Sequence, residues 1–340
     1  MLPLLSALLP APMSSVRRKL INCLSAIFGM VSIVPNLALA QSGTTKILRG
    51  SSEATQPPAS IILRGSSAAQ PQTTGTQGEM PNRVTVIYVP PTNPELQKLY
   101  TLLRERRALE KIQEILSPFR LPEELTIKTK ECGVVNAWYG RQDGEATVTL
   151  CYDLLKHILK SLPKKTSPAG VTPADAAVGQ FVFTTLHEIG HATFDIFSVP
   201  IFGHVEDAAD NFATYILLHF GKEQARRLIG GAAWTWRAYL RDYKSNPVVQ
   251  TRMARFASAH GLPQERFYNL VCLAYGADPE NFPEVKTILP RTRIPQCKLE
   301  YVRVLDAFRK EIAPHIDKEM ASRVLDTNWL SNEQLDPAKK

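Results

Sequence analysis

Apolar and polar positions alternate over two short stretches, and residues 84–89 (VTVIYV) and 125–130 (LTIKTK) each predict a strand. Between them Asn93 and Pro94 open a predicted helix running to about residue 116, with Asn93 as N-cap and Pro94 in the first turn. Residues 132–139 and 146–151 predict two further strands joined as a hairpin across 140–144. From residue 152 the apolar period becomes helical, predicting helices over 152–162, 172–197, 205–221, 222–243, 247–260, 263–275 and 300–315. Thr172-Pro173-Ala-Asp175 is a capped helix start, and Gly221, Gly261 and Gly276 stand where helices stop. The expected fold class is α+β, a small, mainly antiparallel sheet packed on a helical body.

The first 81 residues do not read as part of that body. Arg17, Arg18 and Lys19 precede an apolar run, and Ala38-Leu39-Ala40 matches a small-x-small cleavage site, so residues 1–40 read as an export signal. A start at Met13 would give that signal ordinary length. Residues 41–81 are rich in Ser, Thr, Gln, Gly and Pro and read as a disordered linker. Within it, the sextet Ile-Leu-Arg-Gly-Ser-Ser at 47–52 recurs at 62–67. The globular domain is expected over 82–317, with a polar tail over 318–340. The 340 residues are 44% hydrophobic, enough for a sizeable core. Without residues 1–40 the formal charge falls from +8 to +5, with both signs interspersed. That pattern excludes the clustered basic footprint of a nucleic-acid binder, and it leaves membrane contact to the export signal alone.

The densest chemistry is Leu186-His187-Glu188-Ile189-Gly190-His191. Residues four apart share a helix face, so His187 and His191 can aim ring nitrogens at one zinc ion. Glu188 lies beside that face, placed to take a proton from a zinc-bound water without binding the metal. A catalytic zinc takes three protein ligands. Glu206, on the next predicted helix, is assigned as the third, and Asp210 one turn on is placed to hold a ligand histidine's N–H. Asp195 is the alternative ligand. His204 reads as a polar loop residue and Asp207 as a first-turn acid. Gly190 costs helix stability, so its missing side chain points to close packing near the metal.

The pattern His187-Glu188-x-x-His191 with Glu206-x-x-x-Asp210 resembles that of the gluzincins, the thermolysin-like zinc peptidases. The stretches Cys132-Gly-Val-Val-Asn136-Ala137-Trp138-Tyr139, Leu150-Cys151-Tyr152-Asp153-Leu154 and Arg266-Phe-Tyr-Asn269-Leu-Val-Cys272-Leu-Ala-Tyr275-Gly276 narrow the resemblance. They are similar to a metallopeptidase family of bacterial envelope proteins, catalogued as a domain of unknown function, over roughly residues 82–310. The resemblance implies a zincin-like fold with the motif on the active-site helix, one zinc ion, a peptide or protein substrate and a periplasmic or secreted location. It also implies an edge strand that aligns substrate through its main chain, with Asn136 and Ala137 in that strand. A donor for the developing oxyanion is implied as well, and His260, Arg266, Tyr268 and Tyr275 are the candidates.

Behind an export signal, Cys132, Cys151, Cys272 and Cys297 favour two disulfides. Proximity suggests Cys132–Cys151 and Cys272–Cys297. The first pair suits a hairpin centred near Arg141-Gln142 and falls out of register if the turn is Asp143-Gly144. Two other functions share these residues: a zinc-stabilised envelope protein that binds partners without cleaving them, and a zinc amidase acting on cell-wall peptides. Oligomeric state is not encoded in any feature of the sequence.

Overall fold

The computed structural model describes residues 82–245 and 260–330. The export signal, the linker and its repeat, nearly all of the helix expected at 247–260 and the last ten residues lie outside the described residues. Four strands, β1 (Val84–Tyr88), β2 (Leu125–Lys130), β3 (Ala137–Gln142) and β4 (Glu145–Cys151), form one sheet in the order β1-β2-β4-β3. β1, β2 and β4 are parallel, and only the β3–β4 hairpin is antiparallel. The sheet is therefore mixed, not mainly antiparallel as the pattern suggested. The connection explains why: helices α1 (Pro94–Glu105) and α2 (Ala108–Ile115) carry the chain from the end of β1 back to the start of β2, which a parallel pair requires.

The one helix expected over 94–116 is broken in two because Arg107 adopts a left-handed conformation, φ 48°. Asn93 does cap its start, accepting from the Glu95 N–H at 3.0 Å. β3 starts at Ala137 rather than 132, and its turn is Asp143-Gly144, both residues at positive φ. Among the described residues seven helices follow: α3 (Tyr152–Ser161), α4 (Pro173–Ile196), α5 (Val205–Leu218), α6 (Lys222–Ser245), α7 (Pro263–Ala277), the single turn α8 (Val285–Ile288) and α9 (Ile294–Glu311). α9 begins six residues before its expected start at 300.

Beyond it the expected polar tail at 318 is instead a helix, α10 (Lys318–Asp326). Asp317 caps it, accepting from the Glu319 and Met320 N–H groups. Val324 and Leu330 are buried, and Trp329 meets Phe220 edge-on at 6.4 Å. The charged outer face masks a short apolar stripe that docks on the core.

α4 is the axis of the helical body. Its capping box is complete, with Thr172 Oγ1 accepting from Asp175 N–H at 3.0 Å and the Asp175 carboxylate accepting from Thr172 N–H at 3.0 Å. Fifteen of its residues are buried, which a helix needs when other elements cover most of its circumference. Where α6 crosses it, Gly179 and Gly231 bring backbone against backbone. A Cβ on Gly179 would stand 2.8 Å from Ala232 N, and one on Gly231 would stand 2.7 Å from the Asp175 carbonyl carbon. α5 packs on the other side at Gly190, where a Cβ would stand 3.3 Å from Ala209 Cα and 3.2 Å from Phe212 Cδ1. Glycine there lets the two helices close up, as its position in the motif suggested.

Both disulfides form as paired in the sequence reading, Cys132–Cys151 and Cys272–Cys297. The first does not arise across the hairpin, since the Asp143-Gly144 turn puts Cys132 outside the ladder. It arises because Lys130 at the end of β2 pairs with Cys151 at the end of β4, leaving Cys132 two residues beyond.

Candidate metal centre

Two helices and one strand build the site. α4 presents His187 and His191 one turn apart, and their rings meet edge-to-face at 4.8 Å. The connection from Phe197 to His204 turns the chain so that α5 lies against α4 and its first turn delivers Glu206. His187 Nε2 lies 3.2 Å from His191 Nε2 and 3.1 Å from Glu206 Oε2, and His191 Nε2 lies 3.6 Å from the same oxygen. These three residues form a group able to hold a metal ion. Zinc bonds of about 2.0–2.1 Å in a tetrahedron put ligand atoms about 3.3–3.4 Å apart, so the triangle fits that donor set.

His187 is held from behind. Its Nδ1 lies 2.7 Å from Asp210 Oδ1, one turn beyond Glu206 on α5. Asp210 in turn accepts from Arg266 of α7 twice, Nε to Oδ2 and NH2 to Oδ1, both at 2.7 Å. The Arg266 guanidinium also stacks over Trp236 at 4.6 Å. Burial alone would push the His187 pKa down, but hydrogen bonds to Asp210 and Glu206 outweigh it and raise it to about 9. Burial works against the Asp210 charge too, yet His187 and Arg266 hold its carboxyl below the usual range. Glu206 is likewise held low despite burial, by His187, His191 and His260.

Glu188 stands apart from this triangle. It is 5% exposed, and Tyr139 of β3 donates its backbone N–H to Oε2 at 2.9 Å. The register explains the contact. Cys151 N–H bonds to Asn136 C=O at 3.3 Å, so along β3 the main-chain groups of Ala137, Tyr139 and Arg141 turn away from β4 toward the free edge. That edge faces α4. A cavity of about 200 Å³ opens beside it, lined among others by Asn136, Ala137, Glu188 and His187.

The family described as "putative metallopeptidase" matches residues 88–310, which include every residue of this centre. The chain belongs to that family. Membership in the metallopeptidase family implies a metal and a peptide or protein substrate, and the His187, His191 and Glu206 group is where such a metal would sit. No curated protein and no solved structure matches the chain.

The remaining sequence candidates separate clearly. Asp195, the alternative ligand, is outside the metal group: it accepts from Tyr139 OH at 2.5 Å and Arg141 Nε at 2.9 Å, tying β3 to the end of α4. His204 is the N-cap residue of α5 and Asp207 an exposed first-turn acid. Among the oxyanion candidates Arg266 has its guanidinium committed to Asp210. Tyr268 and Tyr275 lie two and nine residues beyond Arg266 on α7, on the opposite face of the helix. Tyr268 is 40% exposed, and Tyr275 is in the core with Lys286 over its ring at 6.0 Å. Neither lines the cavity. His260 does, with Nδ1 2.7 Å from Glu206 Oε2 and its side chain about half exposed (53%). The Tyr139 contacts were missed in the sequence. Their only signal was its place beside Trp138 at the end of the strand expected over 132–139.

Proposed function

We propose that this member of the metallopeptidase family is a zinc-dependent peptide-bond hydrolase of the gluzincin type, acting in the oxidising envelope compartment of a bacterium. The observation that carries the reading is the triangle of His187 Nε2, His191 Nε2 and Glu206 Oε2, with separations of 3.1, 3.2 and 3.6 Å. A zinc ion held there would act as a Lewis acid on the scissile carbonyl and lower the pKa of a water molecule. Asp210 keeps the His187 tautomer that leaves Nε2 free to ligate, and Arg266 keeps Asp210 ionised. Glu188, outside the ligand set, is the proton carrier: it accepts a proton on the attacking side and delivers it to the leaving amine. The Tyr139 N–H fixes one carboxylate oxygen, leaving the other to move the proton. The outward main chain at Ala137 aligns an extended substrate by strand addition. His260, solvent-facing beside the ligands, is the donor assigned to the developing oxyanion. Two disulfides support an oxidising compartment.

Elemental analysis of the purified chain tests this reading. Near one equivalent of zinc is expected in wild type and in Glu188→Gln, with sharply reduced retention in Glu206→Gln. Peptide hydrolysis is expected in wild type only. Absence of zinc from wild type after purification without chelators, or hydrolysis persisting in Glu188→Gln, would overturn it.

A further inference from the structure

Four helices turn the same kind of stripe toward one space. α1 contributes Leu99, Leu102, Leu103 and its C-cap Arg106, at the i, i+3, i+4 and i+7 spacing of one helix face. The same spacing runs from Ala108 on α2, from Leu155 on α3 and from Ala174 on α4. α1 and α3 build a small core of their own around Leu96, Tyr152 and Leu155, separate from the main one. Where the two cores face each other lies a cavity of about 500 Å³, lined by Leu155 of the small core and by Ile112 and Leu228 of the main one. Its size falls within the ~300–1,000 Å³ of small-molecule sites. Leu102 and Leu159 in its wall are 45% and 44% exposed, so it opens to solvent. Among the described residues that line it, all but Arg106 and Lys111 are apolar. Water finds too few polar partners in such a space, and a contiguous exposed apolar surface marks a binding site.

The charged end of the cavity has an order to it. Arg106, Lys111 and Trp329 also line a second, polar hollow of about 630 Å³. These three residues are the boundary between the apolar space and the polar one. Burial and the neighbouring Arg106 both depress the Lys111 pKa, with Glu114 opposing. Two positive charges are thus held close together at the boundary, where an anion is favoured. Past them the hollow carries Glu105, Glu110 and Glu114, of which Glu110 accepts from Tyr88 OH at 2.7 Å. The lining changes from apolar to cationic to acidic.

We propose that the two joined spaces bind a lysophospholipid with a zwitterionic head. One long acyl chain fills the apolar cavity, the phosphodiester lies at Arg106 and Lys111, and the ammonium points toward Glu105 and Glu114. The ligand's own order of apolar, anionic and cationic groups matches the lining in sequence. None of the three metal-centre residues lines either space, and the inference stands apart from the peptidase reading.

The test uses the purified full chain, stripped of bound lipid, and oleoyl lysophosphatidylethanolamine below its micellar concentration, read by displacement of an uncharged fluorescent dye. Monooleoylglycerol keeps the chain and loses the phosphate. Oleate keeps a negative charge and loses the ammonium. About one equivalent of the lysophospholipid is expected to bind, with monooleoylglycerol about tenfold or more weaker and oleate weaker as well. Arg106→Gln and Lys111→Gln should erase most of the preference over monooleoylglycerol. Ala177→Leu, which pushes bulk into the apolar cavity, should weaken all three ligands about tenfold while melting no lower than wild type. If it melts lower, the two charge variants decide. No saturable binding overturns the proposal, as does oleate or monooleoylglycerol binding as tightly as the lysophospholipid. So does a preference unchanged in both charge variants, or unchanged binding in a folded Ala177→Leu. Self-association of the lipid-free chain that Leu102→Glu abolishes and the lysophospholipid does not would mark the groove as a contact between copies, and overturns it too.

Discussion

Replacing Arg266 by methionine should destabilise the domain by leaving a carboxylate buried against a single partner. Asp210 is 7% exposed and accepts two bonds of 2.7 Å from the guanidinium. Removing one member of such a pair costs about 3–5 kcal/mol. The low end applies, because His187 Nδ1 remains 2.7 Å from Asp210 and methionine keeps part of the packing on Trp236. About 3 kcal/mol corresponds to a melting temperature lower by roughly 6–12 °C in a domain of this size. Circular dichroism melts of Arg266→Met, Asp210→Asn and the double variant make a cycle. The double variant buries no charge, and its asparagine oxygen still accepts from His187, so it should recover at least half of the loss. The pH dependence has a definite sign. The Asp210 carboxyl is depressed in the folded state, so its contribution is complete above the unfolded carboxylate pKa of about 3.9 and is lost as pH falls through the folded value. The gap between wild type and Arg266→Met should therefore narrow only under strongly acidic conditions. A loss under about 1 kcal/mol for Arg266→Met, or single losses that simply add in the double variant, would refute the reasoning.

Asp210→Ala should weaken zinc retention about 10–100-fold by freeing the His187 ring, read by competition with a chelating dye. Gly231→Ala places a methyl against the Asp175 carbonyl and should cost about 3 kcal/mol or more in urea unfolding, well beyond the ~1 kcal/mol that alanine gains in helix propensity. The two disulfides close loops with sequence separations of 19 and 25. Each should therefore contribute about 3 kcal/mol, seen as a drop in melting temperature on adding reductant. Tyr139→Phe should lower peptide turnover several-fold while leaving zinc content unchanged, because its hydroxyl anchors β3 through Asp195 but touches no ligand.

What could be read in advance was what lies close along the chain. The spacing of His187, Glu188 and His191 declares a helix face, and Glu206 with Asp210 declares the next. Gly190 announced close packing, and the nearest cysteines paired. What could not be read depends on tertiary contact. Alternation along 84–89 and 125–130 identifies strands but not their neighbours, although the helical segment between them was a sign of parallel pairing. Arg107 carries no mark of its left-handed break. The Arg266–Asp210 pair spans 56 residues, and so does the Tyr139–Asp195 contact. The charged surface of α10 hid the two or three apolar side chains that dock it. Tyr268 and Tyr275 were plausible by chemistry, and the helix face they occupy puts them outside the cavity lining.

The β3 strand is fastened at its two ends by different chemistry. Near its start the Cys132–Cys151 bond fixes the incoming loop covalently. Toward the hairpin tip Arg141 is held by Glu123 at 2.7 Å and Asp195 at 2.9 Å, with all three side chains more than a third exposed. One end therefore answers to thiols and the other to ionic strength. Both fastenings lie outside the group of His187, His191 and Glu206. Reduction and high salt should therefore loosen the strand from opposite ends, the first at its entry and the second at the hairpin tip.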